Sequence, residues 1–409
     1  MAVLGRTLEG VLARTRRTFP VILVTGPRQS GKTTLLRKVF GRSHRFVSLE
    51  NPSVRDRARS DPEGFLAAHP SPVLYDEIQY APDLLHYIKT EVDERRTPGR
   101  YVLTGSQHFS LMQGVSQSLA GRAAILTLLP FSVAEADGQP GADRSAGDLL
   151  RDPAPGPTRR PAGAPRRLGD WLLRGGFPEP RVHPGMDLET WCASYVQSYL
   201  ERDVRTLLRV GELETFSRFL QLCAGRTGQL LNLSDLARDT GISVPTARSW
   251  LSVLEASYTV FLLPPYHRNY SKRLVKAPKL YFVDTGLAAF LIGLREERTL
   301  LNGPTAGALF ETAVVSGWRK AFLHRGDAAR LSFWRTRDGE EVDLIVEWDG
   351  VTHAMEIKAT STPLPGHAVP VRRWLDRHGT RHSRGFVVAN IGTPVPLLPG
   401  VRGMPWSWV

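Results

Sequence analysis

The octapeptide GPRQSGKT at residues 26–33 constrains the fold of this chain more than any other feature. It matches the pattern G-x-x-x-x-G-K-[ST], follows the apolar run 21–25 and precedes a segment with helical periodicity. Glycines let such a loop approach phosphate oxygens closely, so that backbone N–H groups and the positive end of the next helix bind them. The sequence therefore predicts a strand, a phosphate-binding loop and a helix, in this order.

The same loop predicts ATP as the ligand and Mg²⁺ as the cofactor. Lys32 is placed to reach the β- and γ-phosphates, and the Thr33 hydroxyl to hold Mg²⁺. A chance glycine-rich turn is the alternative, but the strand before the loop and the helix after it argue against that interpretation. The nucleotide-binding residues are therefore predicted to be Gly26, Pro27, Arg28, Gln29, Ser30, Gly31, Lys32, Thr33 and Thr34.

An acidic pair ends a second apolar run, in the sequence VLYDEIQ. Asp76 ends the predicted strand and is expected to coordinate Mg²⁺, usually through water, and so to belong to the nucleotide site. Glu77 is expected to orient the attacking water and to accept its proton. An isolated Asp-Glu pair is usually a solvated turn, but this one follows a phosphate-binding loop and a buried strand. The sequence therefore predicts hydrolysis of the bound nucleotide.

Two further polar residues of this half are candidates for catalysis. Ser106 follows the apolar run 101–104 and is expected to hydrogen-bond the γ-phosphate or the attacking water. The alternative for Ser106 is an ordinary turn after Gly105. Arg122 is expected to lie at a subunit edge and to enter a neighbouring subunit's site as an arginine finger. The alternative for Arg122 is a solvated side chain in an arginine-rich sequence.

Strand-like and helix-like segments alternate over residues 1–136, which predicts an α/β domain with a parallel sheet. Residues 137–167 are dense in Pro, Gly, Ala and Arg, and this composition predicts a flexible insertion. Residues 168–209 are predicted to be a helical linker region. The strands of the first domain are expected at 21–25, 45–49, 73–75 and 101–104, and helices at 33–40 and 84–95.

Several other segments carry a resemblance to a known family. They are SLENP, LYDEIQ, LLHYIK, LTGSQHFSLM, SLAGR and LPFS in the first half, and GGFPE, YLERDV and VDTGLA in the second. With GPRQSGKTT, they make the chain resemble bacterial and archaeal AAA+ ATPases whose second half is a domain of unknown function. The resemblance covers nearly the whole chain. It implies an AAA+-like nucleotide fold, Mg²⁺-dependent ATP hydrolysis and a capacity to form homo-oligomers, and little about the substrate.

Residues 210–268 are predicted to form a helix-turn-helix. Ser234 is expected to cap the first helix, Gly241 to end it and Ser243 to cap the second. The segment resembles a winged helix, with residues 258–263 as a strand of the wing. In the DNA-binding interpretation, the second helix enters the major groove and presents the exposed side chains of Ser243, Thr246, Arg248 and Ser249. A packing module between two domains is the alternative.

The C-terminal segment GEEVDLIVEWDGVTHAMEIKAT predicts two strands of a hairpin within a domain at 269–409. Asp343 lies on the first strand, and Glu356 and Lys358 share one face of the second. With Glu311 on the preceding helix, the set resembles the PD-(D/E)XK nuclease superfamily, which has a restriction-endonuclease-like fold. The resemblance implies Mg²⁺ or Mn²⁺ held by Asp343 and Glu356, and a water activated by Lys358. A structural ion pair in an inactive nuclease fold is the alternative.

The formal net charge of +13 favours polyanionic partners such as DNA or RNA, although an arginine-rich bias with a solvated surface explains the same number. Cys192 and Cys223 are too few for a disulfide framework, which indicates a reducing compartment. No secretory leader and no apolar run long enough to span a membrane are expected. These features predict a cytoplasmic protein without a membrane partner.

Three functional hypotheses follow from these motifs. The first is a Mg²⁺-dependent ATPase coupled to metal-dependent cleavage or remodelling of nucleic acid. The second is a nucleotide-switched DNA-binding or scaffolding protein with an inactive nuclease fold, and the third is an ATPase that acts on protein partners. Metal binding at Asp343 and Glu356 separates the first from the others. Stimulation of ATP turnover by nucleic acid separates the third from the first two.

Overall fold

The computed structural model of the chain describes residues 3–105, 118–140, 146–151, 168–199, 213–266, 277–327, 330–336 and 338–408. Within these residues the N-terminal module has five parallel strands in the order β2-β3-β4-β1-β5. This sheet confirms the predicted α/β class of the module. The strands are β1 (Val21–Thr25), β2 (Arg45–Ser48), β3 (Val73–Asp76), β4 (Tyr101–Gly105) and β5 (Ala123–Thr127). The edge strand β5 was not predicted, because it is only partly buried and lacks a continuous run of large apolar residues.

Helices cover both faces of this sheet because side chains of the central strand alternate in direction. Val21 and Leu23 pack on one face with α5, whereas Ile22 and Val24 pack on the other face with α1 and α2. Apolar side chains of helices therefore cover each face of the sheet, as is usual for a parallel sheet. The helices of this module are α1 (Leu8–Thr15), α2 (Lys32–Phe40), α3 (Pro52–Ser60), α4 (Pro62–Ala68), α5 (Leu84–Glu94) and α6 (Val133–Ala136).

Part of the segment predicted to be a flexible insertion is ordered. Helix α7 (Ala146–Arg151) lies within residues 137–167, and the Leu150 side chain is fully buried in the main apolar core. The overall composition of the segment hid this local apolar site, so the prediction of flexibility is wrong for α7. Most other residues of 137–167 lie outside the described ranges, so their flexibility stays a prediction.

A helical region and a helix-turn-helix with a small sheet follow. The sheet has the strand order β6-β8-β7 in the described part of the chain. Asn232, rather than the predicted Ser234, caps the first helix of the helix-turn-helix, while Gly241 and Ser243 have their predicted positions. The elements are α8 (Leu168–Arg174), α9 (Pro178–Val182), α10 (Leu188–Tyr199), α11 (Leu213–Gly225), β6 (Gln229–Leu230), α12 (Leu233–Thr240), α13 (Val244–Ala256), β7 (Val260–Leu263) and β8 (Lys279–Phe282).

The C-terminal module is built on a mixed sheet of six described strands, in the order β13-β14-β12-β11-β10-β9. Strands β9, β10 and β11 are antiparallel neighbours, and β11, β12 and β14 run parallel. The predicted hairpin is present. The elements are α14 (Thr285–Leu291), α15 (Glu297–Asn302), α16 (Ala306–Leu323), β9 (Arg330–Arg335), β10 (Glu341–Trp348), β11 (Val351–Lys358), α17 (Val369–His378), β12 (Gly385–Ala389), β13 (Val395–Leu398) and β14 (Val401–Pro405).

One apolar core joins the helical region, the helix-turn-helix and the C-terminal sheet. It runs from Trp171 through Phe219 and Trp250 to Trp318 and Trp406. The predicted boundaries at 209 and 268 therefore do not separate independent cores. Among the described helices, none combines the length and apolar character needed to cross a membrane.

Candidate functional site

The loop between β1 and α2 is wrapped around the ammonium group of Lys32. The Lys32 side chain is buried, and its Nζ donates hydrogen bonds to the carbonyls of Gly26 (3.1 Å) and Pro27 (2.9 Å). Gly26 has φ +148°, and a Cβ atom there would lie 2.1 Å from the Leu128 carbonyl oxygen, so only glycine fits. The start of α2 therefore presents its backbone amides, together with the Lys32 charge, to a phosphate group.

Asp76 lies at the carboxyl edge of the sheet, beside the loop. One of its carboxylate oxygens, Oδ1, accepts hydrogen bonds from the hydroxyls of Thr33 and Thr104, each at 2.8 Å. Burial raises the pKa of Asp76, and the two threonine hydroxyls oppose that shift. The predicted Thr33 and Asp76 are thus brought into contact, and Thr104 is an additional partner.

Glu77 adopts a left-handed backbone conformation, with φ 58° and ψ 53°. Its amide donates a hydrogen bond to Thr104 Oγ1 at 2.9 Å, and the Gln79 side chain donates to its carboxylate. A non-glycine residue in this conformation is uncommon and is held by its surroundings. The Glu77 side chain is thereby directed into the same cleft as Lys32 and Thr33.

Two clefts meet at the loop. A cleft of about 410 Å³ is lined by Lys32, Thr33 and Glu77 on one side, and by Tyr195 and Ser198 of α10 on the other. A second cleft of about 460 Å³ has a mainly apolar lining with charged residues at its rim. Its lining includes Val3, Leu4, Leu35, Phe131, Pro178 and Val182, with Arg6, Glu9, Lys38 and Glu179 as the charged members. Both clefts are closed partly by the helical region that follows the N-terminal module.

The donor set fits Mg²⁺ and a nucleotide triphosphate. Mg²⁺ prefers oxygen ligands and keeps several waters, and the Thr33 hydroxyl with the Asp76 carboxylate offers such a partial shell. The buried Lys32 ammonium supplies the positive charge that a polyphosphate needs. The catalytic roles of these residues stay predictions, but their positions are mutually consistent.

Sequence reasoning missed three residues at this site and named one that the structure does not describe. Ser106 lies outside the described residues, so its predicted role rests on the sequence alone. Thr104 instead contacts both Asp76 and the Glu77 amide, and its signal was a polar residue at the end of an otherwise apolar strand. Tyr195 and Ser198 come from a distant helix, and no local pattern marked them.

Arg122 lies immediately before β5, at the amino edge of the sheet, opposite the edge that carries its own phosphate-binding loop. Its guanidinium contacts both carboxylate oxygens of Asp93, with Nη2 at 2.9 Å from Oδ2. The side chain is 28% exposed. Within one subunit Arg122 is therefore remote from the cleft, and the predicted finger can act only on a neighbouring subunit.

If Arg122 acts in trans, mixing two inactive variants will restore ATP turnover. Arg122→Ala subunits keep an intact loop, and Lys32→Ala subunits keep an intact arginine. In an equimolar oligomer about a quarter of the sites pair an intact loop with an intact arginine. Turnover is measured against the mixing ratio, with an Arg17→Ala variant as the exposed-arginine control. No recovery at any ratio contradicts action in trans.

The C-terminal residues predicted to form a metal site lie together around a lysine that the sequence did not single out. Lys279 Nζ lies 2.8 Å from Glu311 Oε1, 2.6 Å from Glu341 Oε1 and 3.8 Å from Asp343 Oδ1. The side chain of Lys279 is only 5% exposed. On the next strand, Glu356 pairs with Lys358 at 2.6 Å. The cluster, called the carboxylate centre below, comprises Lys279, Glu311, Glu341, Asp343, Glu356 and Lys358.

Burial dominates the protonation equilibria of the carboxylate centre. It raises the pKa of Glu311 and of Glu356 to about 7, and the negative charge of Asp343 adds to both shifts. Burial opposes the charge of Lys279, but Glu311, Asp343 and Glu341 together raise its pKa above the usual range. The lysine is therefore charged at neutral pH and neutralises part of the acidic cluster.

The donor set of the carboxylate centre does not fit a divalent cation as it stands. Lys279 fills the space that Glu311, Glu341 and Asp343 share, and Asp343 Oδ2 already accepts a hydrogen bond from the Ile357 amide at 2.9 Å. Among the described residues, no group of three or more His, Cys, Asp or Glu side chains is arranged to hold a metal ion. The predicted Glu311 and Asp343 are thus brought together around an ammonium group, whereas Glu356 pairs with Lys358.

The helix-turn-helix presents most of its predicted contact residues to solvent. Ser243, Arg248 and Ser249 are exposed, whereas Thr246 is half-buried and its amide donates to Ser243 Oγ. Val244 is also exposed, at 36%. After α13, the hydroxyl of Tyr258 lies 2.8 Å from Thr25 Oγ1, the residue that precedes the phosphate-binding loop. The helix-turn-helix is therefore in direct contact with the nucleotide module.

Comparison with known proteins agrees with this geometry. An AAA domain family matches residues 18–136, and two domains of unknown function, DUF8612 and DUF4143, match residues 165–298 and 306–408. A Walker-type ATPase of Pyrococcus abyssi is 15% identical, covers 71% of this chain and 96% of its own, and has a TM-score of 0.45. Uncharacterized proteins of Mycobacterium bovis and Mycobacterium tuberculosis are each 33% identical over 365 residues, which is 89% of this chain and 76% of theirs. The chain therefore belongs to the family of these mycobacterial proteins, with a P-loop ATPase domain of the AAA type in its first half.

Proposed function

We propose that this chain is a Mg²⁺-dependent ATPase whose nucleotide state controls its binding to nucleic acid. The observation that carries the ATPase part is the meeting of Lys32, Thr33, Asp76, Glu77 and Thr104 at one edge of the sheet. A phosphate loop, an oxygen ligand set and a candidate base then surround a single cleft. This arrangement supplies the phosphate-binding, cation-binding and water-orienting groups that hydrolysis of a γ-phosphate needs, and the predicted arginine finger would come from a neighbouring subunit.

Each residue has a distinct role in hydrolysis. Lys32 would bind the β- and γ-phosphate oxygens after exchanging its carbonyl partners for them, and Thr33 and Asp76 would hold the hydrated cation. Mg²⁺, when bound, offsets the charge that develops on the phosphoryl oxygens. Glu77 orients a water in line with the γ-phosphorus and accepts its proton, which leaves ADP and inorganic phosphate. Thr104 fixes the positions of Asp76 and Glu77 relative to each other, because its hydroxyl hydrogen-bonds to the Asp76 carboxylate and to the Glu77 amide.

The apolar cleft beside the loop is suited to the nucleotide base. Leu35 and Phe131 offer flat apolar contact, and Glu179 offers a hydrogen-bond acceptor at the rim. A carboxylate accepts hydrogen bonds from the N6 amino group of adenine, and equally from N1–H and the N2 amino group of guanine. The expectation of ATP rather than GTP therefore rests on the AAA domain match and not on this cleft.

Nucleic acid is the partner that the surface supports best. The net charge is +13, and the second helix of the helix-turn-helix exposes the Arg248 side chain. The Tyr258 hydroxyl contacts Thr25 beside the loop, so a change at the nucleotide has a short route to that helix. The net charge favours nucleic acid over a protein partner, and this contact provides the link between the nucleotide site and the helix-turn-helix.

Binding of the chain to a double-stranded DNA oligonucleotide is expected to weaken steeply with salt. Each phosphate neutralised by Lys or Arg releases counterions, so Arg248→Ala lowers the salt slope by about one. Arg57→Ala, an exposed arginine of α3, is the matched control and leaves the slope unchanged. Affinity is measured by fluorescence anisotropy between about 50 and about 200 mM salt, with and without ATP and with RNA in parallel. Salt-independent binding, or equal effects of both variants, contradicts the proposal.

A metal-dependent nuclease is the second candidate function. The order of α16, β9, β10, β11, α17 and β12, with three antiparallel strands and then a parallel one, supports a restriction-endonuclease-like module. In addition, Glu356 Oε2 is buried and has no hydrogen-bond partner within the described ranges. An unpaired buried oxygen is costly, and a cation would satisfy it. Lys279 is the obstacle to this function.

A further inference from the structure

The segment Leu128–Ser132, which includes the LPFS motif, is bound from both halves of the chain. The Leu129 amide donates to His324 Nε2 at 3.1 Å, and the Leu129 carbonyl accepts from Arg6 Nη2 at 2.6 Å. The Phe131 amide donates to the Gly176 carbonyl at 2.7 Å, and the Phe131 carbonyl accepts from Lys320 Nζ at 3.3 Å. The backbone of the segment is thus held by Arg6, which precedes α1, by Gly176 of the GGFPE motif and by the end of α16.

Arg6 connects this segment to the phosphate-binding loop. Its Nη1 donates to the Ser30 carbonyl at 2.8 Å while Nη2 binds Leu129, and its guanidinium lies 4.6 Å from the centre of the Phe131 ring. Arg6 is only 6% exposed. A buried guanidinium needs a counter-charge, and Glu135 supplies it at 3.3 Å from Nε. The position of the Ser30 carbonyl therefore depends on a residue that does not line the phosphate cleft.

Glu135 is in turn held by the C-terminal half. It is fully buried and accepts the amides of Thr7 and Ser132, and its Oε2 lies 3.1 Å from His324 Nδ1. Burial alone would raise the pKa of Glu135, but His324, Arg6 and the Ser132 amide hold it below its usual range. Burial lowers the pKa of His324, and Nε2 of the ring accepts the Leu129 amide, so the neutral ring carries its proton on Nδ1, which lies 3.1 Å from Glu135 Oε2.

We infer that Glu135 and His324 are positioning residues for nucleotide binding, which hold Arg6 against Ser30 and so keep the phosphate-binding loop in its binding conformation. The inference rests on the proposed ATPase function. If the Glu135 charge is removed, Arg6 loses its buried partner and turns into the apolar cleft that it already lines. The loop then loses the contact at Ser30, and ATP binds more weakly although no residue that contacts the phosphates has changed.

The test compares Glu135→Gln and His324→Asn with the wild-type chain. Asn places an amide donor near the Nδ1 position but offers no acceptor for the Leu129 amide, so it separates the two contacts of His324. Each variant is expected to raise KM and Kd for Mg²⁺-ATP about tenfold while kcat changes less than about twofold. Thr312→Val is the matched control. Thr312 lies on α16, the helix that precedes His324, and the change removes a buried hydrogen bond between Thr312 and Thr227 without altering any contact of Arg6.

A purely structural role predicts a different result. In that case Glu135→Gln and Thr312→Val lower the melting temperature alike and leave KM unchanged, which overturns the inference. Amide hydrogen exchange gives a second measurement, which remains informative when a variant is less stable than the wild-type chain. A non-hydrolysable ATP analogue should protect the last turn of α16 in the wild-type chain but not in Arg6→Lys, and equal protection in both overturns the inference. If the wild-type chain binds no nucleotide, the proposed ATPase function itself has failed.

Discussion

Lys32→Ala will remove tight ATP binding and reduce kcat/KM for ATP by at least about 100-fold. The Lys32 ammonium is buried at the centre of the loop and is bound to the Gly26 and Pro27 carbonyls. Its loss leaves these carbonyls directed at a space where a polyphosphate must bind, which replaces attraction by repulsion. ATP turnover and nucleotide affinity by calorimetry are the measurements.

Arg37→Ala is the matched control for this variant. Arg37 lies on the same helix but is exposed and stacks 3.8 Å from the centre of the Phe46 ring, away from the cleft. The control is expected to retain ATP turnover. A Lys32→Ala chain that binds ATP as tightly as the control contradicts the assignment of the loop.

The neighbouring Glu77→Gln variant separates binding from chemistry. Gln has nearly the same shape but cannot accept the water proton, so kcat is expected to fall about 10²- to 10⁴-fold while the ATP Kd stays within about threefold. Because the Glu77 backbone is held by Thr104, the substitution leaves the loop conformation intact. Normal turnover by Glu77→Gln removes Glu77 as the general base.

The nucleotide site was predictable because most of its residues lie close together in the sequence. The phosphate-binding loop needs particular residues within a single strand-loop-helix unit, and Asp76 and Glu77 end the strand that comes to lie at the same edge. The hairpin with Asp343, Glu356 and Lys358 was predictable for the same reason, since alternation along two adjacent strands fixes which side chains share a face.

The rest depended on contacts between residues far apart in the sequence. Lys279 reads as an ordinary first residue of a strand, and only the packing of β8 against α16 and β10 places its ammonium among the carboxylates. Arg6 likewise belongs to no motif in the sequence, yet its guanidinium binds the carbonyls of Ser30 and Leu129. Thr104 was not predicted, because only the folded chain shows that its hydroxyl donates a hydrogen bond to Asp76.

Lys279→Met will show whether the carboxylate centre is a structural ion cluster or a closed metal site. The change removes the only cation within 4 Å of Glu311 among the described ion pairs and keeps the apolar length of the side chain. Leaving buried carboxylates without a partner costs about 3–5 kcal/mol of unfolding free energy. Lys38→Met is the matched control, because the side chains of Lys38 and its partner Glu9 are 39% and 28% exposed and the loss there is expected to stay under about 1 kcal/mol.

Recovery of the stability that Lys279→Met loses distinguishes a structural ion cluster from a metal site. In a structural ion cluster, Glu311→Gln added to Lys279→Met recovers part of the lost stability, and Mn²⁺ does not. In a metal site, Mn²⁺ takes the place of the ammonium and raises the melting temperature of Lys279→Met, but not that of the triple variant that also carries Asp343→Ala and Glu356→Ala.

Cleavage assays complete this test. Wild-type protein with ATP and Mn²⁺ is tried on single- and double-stranded DNA and on structured RNA, with Asp343→Ala and Lys358→Ala as the nuclease controls. Because Lys279 fills the centre, we expect no cleavage by the wild-type chain. Cleavage that disappears in both controls while ATP turnover persists establishes the nuclease instead. In that event Lys279 must leave the centre before a cation enters, and the nucleotide site remains assigned, because it depends on separate residues.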